Sequence, residues 1–258
     1  MATFQIDTPF LENIKDLIRG KKDSKLRGKF KPMHYADLAE VIELLSKNDA
    51  TYIVKLLGSE TTADALAEVD PDIRESILEN LSAKEIALEV SELDTDDATD
   101  LILELPEDRK EKVMSQIEDY EHVQDIRDLL KYDENTAGGL MAKELVKVQE
   151  GLSVLKCLNE MRAQAENVTR VHSIYVTDEK NRLKGRLSLK DLITANSKDK
   201  VKDIYIPKVD YVTVEQEKEE VAKIMSKYDL EAIPVVSHKI ELLGRITIDD
   251  IIDVIKEE

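Results

Sequence analysis

The stretch LKGRLSLKDLI, residues 183–193, returns fifty-nine residues later as LLGRITIDDII, residues 242–252. Nothing else in the chain restricts its fold so strongly. A phrase repeated in register requires a duplicated unit. The alternating apolar run in each copy reads as a strand, and the amphipathic stretch after it as a helix. The match extends well beyond the phrase. HSIYVTDEKNRLKGRLSLKDLI from His172 aligns without a gap to EAIPVVSHKIELLGRITIDDII from Glu231. Upstream, LVKV at Leu145 answers YVTV at Tyr211 at an offset of 66, so the first copy carries seven extra residues around AQAENVT. Each copy is expected to run strand, helix (VLKCLNEMRA, EEVAKIMSKYD), strand, turn, strand and closing helix.

This α/β pattern resembles the CBS domain, through the apolar-Pro-Val-Val strand at Ile233–Val236 and the phrases Gly185…Ser188…Asp191 and Gly244…Thr247…Asp250. The resemblance implies a tandem pair packed as one pseudo-symmetric disc. It further implies that, where such modules bind adenine nucleotides, Ser188, Asp191, Thr247 and Asp250 hold phosphate and ribose. A helix N-terminus with free N–H donors suits that task. The competing reading makes Ser188 and Thr247 N-caps, with the two aspartates complementing the helix dipole. Tyr175 is available to stack on adenine, whereas Leu230 and Ile233 hold the comparable places of the second copy.

The first half repeats on a shorter scale. Counting in twelves from Leu45 gives Leu57, Val69, Leu81, Leu93, Leu105 and Ile117, followed by Ser46, Gly58, Asp70, Ser82, Asp94, Pro106 and Glu118. These followers are mostly helix-starting or helix-breaking types. Segments such as SAKEIALEVSEL are apolar at i, i+3, i+4 and i+7, so each unit reads as a helix of two to three turns. Helices this short are marginal alone and become stable by stacking. Residues 34–130 are therefore expected to form an all-α superhelix. Residues 10–20 are expected to form an earlier helix, and RGKKDSKLRGKFK, residues 19–31, a solvated connector with a role beside anionic lipid as one option.

The formal charge of −18 is uneven. Residues 1–36 hold eight Lys/Arg against four Asp/Glu, residues 37–134 nine against 29, and residues 135–258 twenty against 22. The shift near residue 134 marks a domain boundary. A field so negative attracts cations and repels nucleic acid, which is not an expected partner. The single Cys157 excludes an internal disulfide and suits a reducing cytosol. His34, His122, His172 and His238 are scattered, so zinc is not expected. No run of 18 apolar residues is present to span a membrane.

Some acids are placed at a cost. Asp96 and Asp100 stand at i, i+4 in LDTDDATDL, and Asp250 and Asp253 at i, i+3 in TIDDIIDVIKEE. Like charges at these spacings destabilise a helix by about 0.2–0.5 kcal/mol per pair. First-turn acids complement the dipole, but Asp100 and Asp253 lie beyond that turn. A solvated face accounts for any one of them; for the set a cation site is favoured. Oxygen-only ligands suit a hard ion, and Mg2+, which keeps most of its water, needs few protein ligands from each of two acidic surfaces.

The acidic superhelix followed by a CBS pair resembles the cytosolic part of the MgtE family of magnesium channels and transporters. MHYADLAEVIELL (Met33–Leu45) is similar to that family's opening motif, with Tyr35 where proline is usual. YDENTAGGLM (Tyr132–Met141) is similar to its junction motif, and GRITIDDIIDVIKEE to the stretch leading toward the membrane. The resemblance implies a multidomain, non-enzymatic Mg2+ sensor that closes a pore. Its domains would be the all-α superhelical N-terminal domain over 1–132, then α/β CBS repeats over 133–200 and 201–258. It implies a homodimer formed through the CBS domains, partnered by the transmembrane domain of the same full-length protein at the cytoplasmic face of the cell membrane, with this chain its excised cytosolic portion. Ligands implied by the resemblance are Asp96 and Asp100 on one side. Asp229, Asp250 and Asp253 lie on the other, with backbone carbonyls near Gly139 and Ser226. Glu217, Glu219 and Glu258 match acids that face the connecting helix. Mn2+ and Ca2+ are candidate substitutes for Mg2+. Two other readings stand beside this one: an adenine-nucleotide-sensing CBS protein, and a helical scaffold for protein partners. No nucleophile–base pair, phosphate loop or cofactor motif points to an enzyme.

Overall fold

Short helices stacked by a twelve-residue period need a turn at every repeat, and the first half of the chain is built that way. The computed structural model describes residues 6–166, 168 and 170–257, apart from the side chains of residues 253, 256 and 257. The chain divides into two units, residues 1–93 with 97–126, and residues 94–96 with 127–258.

The first unit contains α1 (Thr8–Arg19), α2 (Asp23–Phe30), α3 (Tyr35–Glu43), α4 (Lys47–Leu57), α5 (Ser59–Glu68), α6 (Pro71–Leu78), α7 (Ala83–Glu92), α8 (Thr95–Leu103), α9 (Glu107–Met114) and α10 (Tyr120–Leu129), of which α8 and α10 run into the second unit. Alternate helices stack in two rows. One runs α3, α5, α7, α9 and the other α2, α4, α6. Val69, Leu81, Leu93, Leu105 and Ile117 are buried, whereas Leu45 and Leu57 are half-buried. The hydroxyl or carboxylate after several of them caps the next helix. Ser46 accepts from the Asp49 amide at 3.3 Å, Asp70 from Asp72 at 3.0 Å, and Ser82 from Glu85 at 3.2 Å. Glu85 returns the bond by accepting from the Ser82 amide at 2.7 Å, which closes a capping box.

Helices of eight to ten residues leave most of their end carbonyls unpaired. Long side chains from later repeats answer some of these. The buried Arg74 donates to the Leu66 carbonyl at 3.1 Å and to Glu104 at 2.9 Å. Arg109 donates to the carbonyls of Leu78 at 3.1 Å and Leu81 at 2.7 Å. The His122 ring nitrogen lies 3.0 Å from the Val90 carbonyl.

Glu89 on α7, only 4% exposed, is met by no such cation among the described residues. Its carboxyl oxygens lie 3.0 and 2.9 Å from the Thr62 hydroxyl, which also lies 3.0 Å from the Gly58 carbonyl. One hydroxyl proton cannot serve both acceptors. The three groups are all satisfied only when Glu89 is the neutral acid, donating to Thr62 while Thr62 donates to Gly58. Burial accordingly pushes the carboxyl up to about 7, and the charges of Glu92 and Glu85 reinforce it.

The basic stretch is not a solvated connector. Residues 23–30 form α2, whose Leu26 and Phe30 are fully buried at i, i+4 spacing. Two apolar residues on one stripe are enough to dock a helix whose remaining positions are basic or small.

In the second unit, α11 (Ala137–Leu140) leads into two copies of one module. The first holds β1 (Val146–Gln149), α12 (Val154–Ala165), β2 (Ile174–Thr177), β3 (Leu183–Leu187) and α13 (Leu189–Thr194). The second holds β4 (Val212–Thr213), α14 (Lys218–Tyr228), β5 (Ala232–Val236), β6 (Leu242–Thr247) and α15 (Ile248–Glu257). Both sheets pair their first two strands parallel and the last two antiparallel. The duplication reaches single residues. The register slips at Val176/Thr177 in one sheet and at Val235/Val236 in the other. Asn181 and Ile240, at the same turn position, have φ of 58° and 61°.

The glycine of the repeated phrase has a steric cause. A Cβ on Gly185 would lie 2.1 Å from the Ile206 carbonyl, and one on Gly244 2.6 Å from that of Ala142. At these points a further segment lies along the sheet edge. Residues 186 and 206 exchange two main-chain hydrogen bonds, as do residues 245 and 142. The junction motif is explained likewise, since a Cβ on Gly138 would strike the Tyr132 ring at 2.6 Å.

The two copies interlock at their turns. The Leu183 amide donates to the Ile240 carbonyl at 2.8 Å, and the Leu242 amide to the Asn181 carbonyl at 2.9 Å. Beneath these bonds Tyr175, Leu183, Val236 and Leu242 form a shared apolar core. Tyr175 is therefore not available to stack on a ligand. It is 2% exposed, because side chains alternate along β2 and this one points into the seam between copies.

Candidate functional site

The strand–helix junctions carry the hydroxyl and acid residues of the repeated phrase. In the first copy, Ser188 accepts from the Asp191 amide at 3.0 Å and donates to its carboxylate at 2.6 Å. In the second, the amide and hydroxyl of Thr247 donate to Asp250 at 2.7 and 2.9 Å, and the hydroxyl also reaches Asp249. Ser188 thus caps α13, and Thr247 with Asp250 forms the same kind of local closure before α15. The junctions differ in charge. Asp249 and Asp250 stand side by side with Thr247 as their shared hydroxyl. Burial pushes the Asp250 carboxyl up to about 6, the Thr247 amide opposes that, and the Asp249 charge adds to it.

The remaining expected positions fall on several elements. Asp96 is half-buried in the first turn of α8, and Asp100 is exposed in its second. Gly139 lies in α11; a Cβ there would come 2.4 Å from the Asp133 carbonyl, so the site permits no side chain. Glu217 is the exposed N-cap of α14 and Glu219 half-buries in its first turn. Ser226 is exposed in the last turn of α14, and Asp229 ends that helix in the left-handed region at φ 53°. α14 packs against α15, which brings the elements of Ser226, Asp229 and Asp250 side by side. The Asp253 side chain and Glu258 lie outside the described residues. Among the described residues no three His, Cys, Asp or Glu side chains converge tightly enough to hold an ion by themselves.

Sequence reasoning passed over a second group. The start of α8 belongs to the second unit. The Thr95 amide and hydroxyl donate to Glu144 at 3.2 and 2.8 Å, and the Lys143 amide donates to the Thr95 hydroxyl at 2.8 Å. Arg245, only 7% exposed, donates to the Glu144 carbonyl at 2.5 Å and to Asp94 at 3.3 Å. The signal was present in the Arg of the repeated Gly-Arg, which had been given no task. Among the described residues the Tyr175 hydroxyl and the Nδ1 of His172 are buried without a hydrogen-bond partner, Nδ1 lying 3.6 Å from a Glu231 carboxylate oxygen.

A helical repeat leading into two interlocked βαββα modules defines the CBS-pair class of regulatory regions. The family profile described as the MgtE intracellular N domain matches residues 33–135, and that of the CBS domain matches residues 137–198 and 201–257. The chain is 32% identical, at a TM-score of 0.87, to the structure described as the cytosolic domain of the Mg2+ channel MgtE in complex with ATP, covering 95% of this chain and 99% of that one. A second structure, of the soluble part of a magnesium transporter, gives 28% identity and a TM-score of 0.83 over 96% and 97%. The chain belongs to the MgtE family and corresponds to its cytosolic region. Among curated relatives, the magnesium transporter MgtE of Thermus thermophilus is 44% identical over 52% of this chain and 30% of its own length. That of Bacillus subtilis is 30% identical over 94% of this chain and 53% of its own length. The chain thus spans about half the length of these relatives, or less. No helix among the described residues is long and apolar enough to cross a membrane.

Proposed function

We propose that this chain is the non-enzymatic, Mg2+-sensing regulatory part of a magnesium channel or transporter, at the cytoplasmic face of the membrane. Mg2+ bridges acids of the helical domain, Asp96 and Asp100, to Asp229, Asp250 and Asp253 of the CBS pair, with main-chain oxygens of Gly139 and Ser226 completing the shell through water. Glu217, Glu219 and Glu258 face the segment that leads to the transmembrane domain. The ion-bound form stabilises the closed pore. The domains act over 1–132, 133–200 and 201–258. The pairs assemble as a homodimer through their CBS helices, for which the exposed Ile193 and Ile252, equivalent positions on α13 and α15, are suited.

The reading is supported above all by the near end-to-end match to the cytosolic domain of a Mg2+ channel. Locally, the adjacent Asp249 and Asp250 carboxyls meet the Thr247 donors and the charge of Arg245, and a hydrated divalent cation would remove the cost of their mutual repulsion. X-ray scattering in chelator and in about 10 mM Mg2+, enough to fill weak oxygen-ligand sites, is expected to show a smaller radius of gyration with the ion. Unchanged dimensions overturn the reading. In the variant Asp100→Asn/Asp250→Asn the ion is expected to produce no compaction, and Mn2+ and Ca2+ arms report selectivity.

A second reading, adenine-nucleotide sensing, is favoured by the ATP named for the related channel domain. Ser188, Asp191, Thr247 and Asp250 would exchange their mutual bonds for the nucleotide. Calorimetry with ATP and AMP, without Mg2+-driven compaction, would replace the first reading with this one.

A further inference from the structure

The basic stretch at residues 19–31 has no part in the reading above. Arg19, Lys21, Lys22, Lys25, Arg27, Lys29 and Lys31 are all exposed. Among the described residues only Arg19 is ion-paired, with Asp16 at 3.3 Å, while Lys29 sits 5.5 Å over the Phe10 ring. The one acid within the stretch, Asp23, is turned away to accept the Tyr52 hydroxyl at 2.5 Å. The stretch is a docked helix held by Leu26 and Phe30, so its cations are presented on a fixed surface. Opposite the buried stripe lie Ser24 and Gly28, and a Cβ on Gly28 would meet nothing within 4 Å. The outward ridge is thus low, with Lys25 on one flank and Arg27 and Lys31 on the other. Residues 37–134 hold nine Lys/Arg against 29 Asp/Glu, so an anionic plane attracts this hairpin and repels the segment after it.

We infer that the α1–α2 hairpin is a docking surface for anionic phospholipid headgroups. Each lysine or arginine near such a surface adds its own attraction, which fades over a Debye length of about 10 Å at 0.1 M salt. A broad, flat polyanion engages several of these cations at once. A flexible nucleic acid would also wrap toward the acids and be repelled. The choice of lipid over other polyanions rests on the membrane-side placement proposed above. Vesicle binding and Mg2+-driven compaction are separate readouts, so either can fail alone.

The full chain in chelator is mixed with vesicles of phosphatidylcholine, alone or with about 30% phosphatidylglycerol, at about 0.05 M salt, where exposed charges are weakly screened. At least about tenfold stronger partitioning to the anionic vesicles is expected, lost near 0.5 M salt. Lys22→Glu/Lys25→Glu/Arg27→Glu is expected to abolish it while retaining the wild-type helical circular dichroism. Equal binding to both vesicle types, or undiminished binding by a folded variant, overturns the inference. So does equally tight, equally salt-sensitive binding of single-stranded RNA. If the triple variant fails to fold, Lys25→Gln/Arg27→Gln takes its place, with a severalfold loss expected and no loss overturning the inference.

Discussion

The helical unit and the CBS pair are both repeats, yet they handle polar groups in opposite ways. The helical unit carries polar side chains between its helices. Arg74 (to Glu104), Arg109, His122 and Glu89 reach across about thirty residues to tie one short helix to another. The CBS pair has ladders to satisfy its main chain, so its cores are apolar, and apart from the buried Arg245 its paired hydroxyls and acids stand at the strand–helix junctions. Short helices cannot close their own ends and need side chains to do it. Sheets need close main-chain approach instead, which is a demand on glycine. Each unit should therefore be most sensitive to a different kind of substitution.

The largest effect is expected at Gly185. A methyl group there meets the Ile206 carbonyl, and Gly185→Ala should cost about 3 kcal/mol in urea unfolding, as backbone overpacking does. Gly185→Ala should also cost more than Gly244→Ala, whose contact is longer. Equal, small losses would show that the edge segments yield and that the contrast between the units is overstated.

Glu89→Gln probes the helical unit. The folded carboxyl titrates near 7 against an ordinary value of 4.5. The folded state therefore holds a proton that the unfolded chain releases, and stability falls as pH rises from about 4.5 to about 7, by about 3 kcal/mol for a shift of this size. The glutamine variant, which keeps a donor for Thr62, should lose that slope and melt higher than wild type at pH 8. A wild-type melting profile flat across that window would refute the neutral acid.

The smallest effect sharpens the comparison between the CBS copies. Asn181 and Ile240 share a left-handed turn position, but only Asn tolerates it readily. Ile240→Asn should stabilise by about 1 kcal/mol. No gain would mean that the exposed isoleucine offsets its strain through the contacts it keeps.

The duplicated phrase made the CBS pair legible at the level of strand order, because a period-two pattern and its glycine survive in both copies. The twelve-residue rhythm did the same for the helices, since the turn residues Val69, Leu81 and Leu93 are buried for the reason their spacing implied. Helix α2 was hidden because two apolar residues, Leu26 and Phe30, carry its docking amid a stretch of seven cations. Tyr175 was misjudged because sequence shows that a strand residue faces a sheet surface, not that a second copy covers that surface. Arg245 was missed for a related reason. Its partners Asp94 and Glu144 lie 151 and 101 residues away, and no local pattern encodes such a distance.

The crossed bonds between the two hairpin turns bear on how this chain can be cut or rebuilt. Severing it near residue 200 would expose on either piece an amide and a carbonyl whose mates went with the other, along with half of an oily seam. Neither piece should persist by itself, and both should recover order only on being mixed. Gene duplication supplied two lookalike halves, but what natural selection can now lose or keep is the couple.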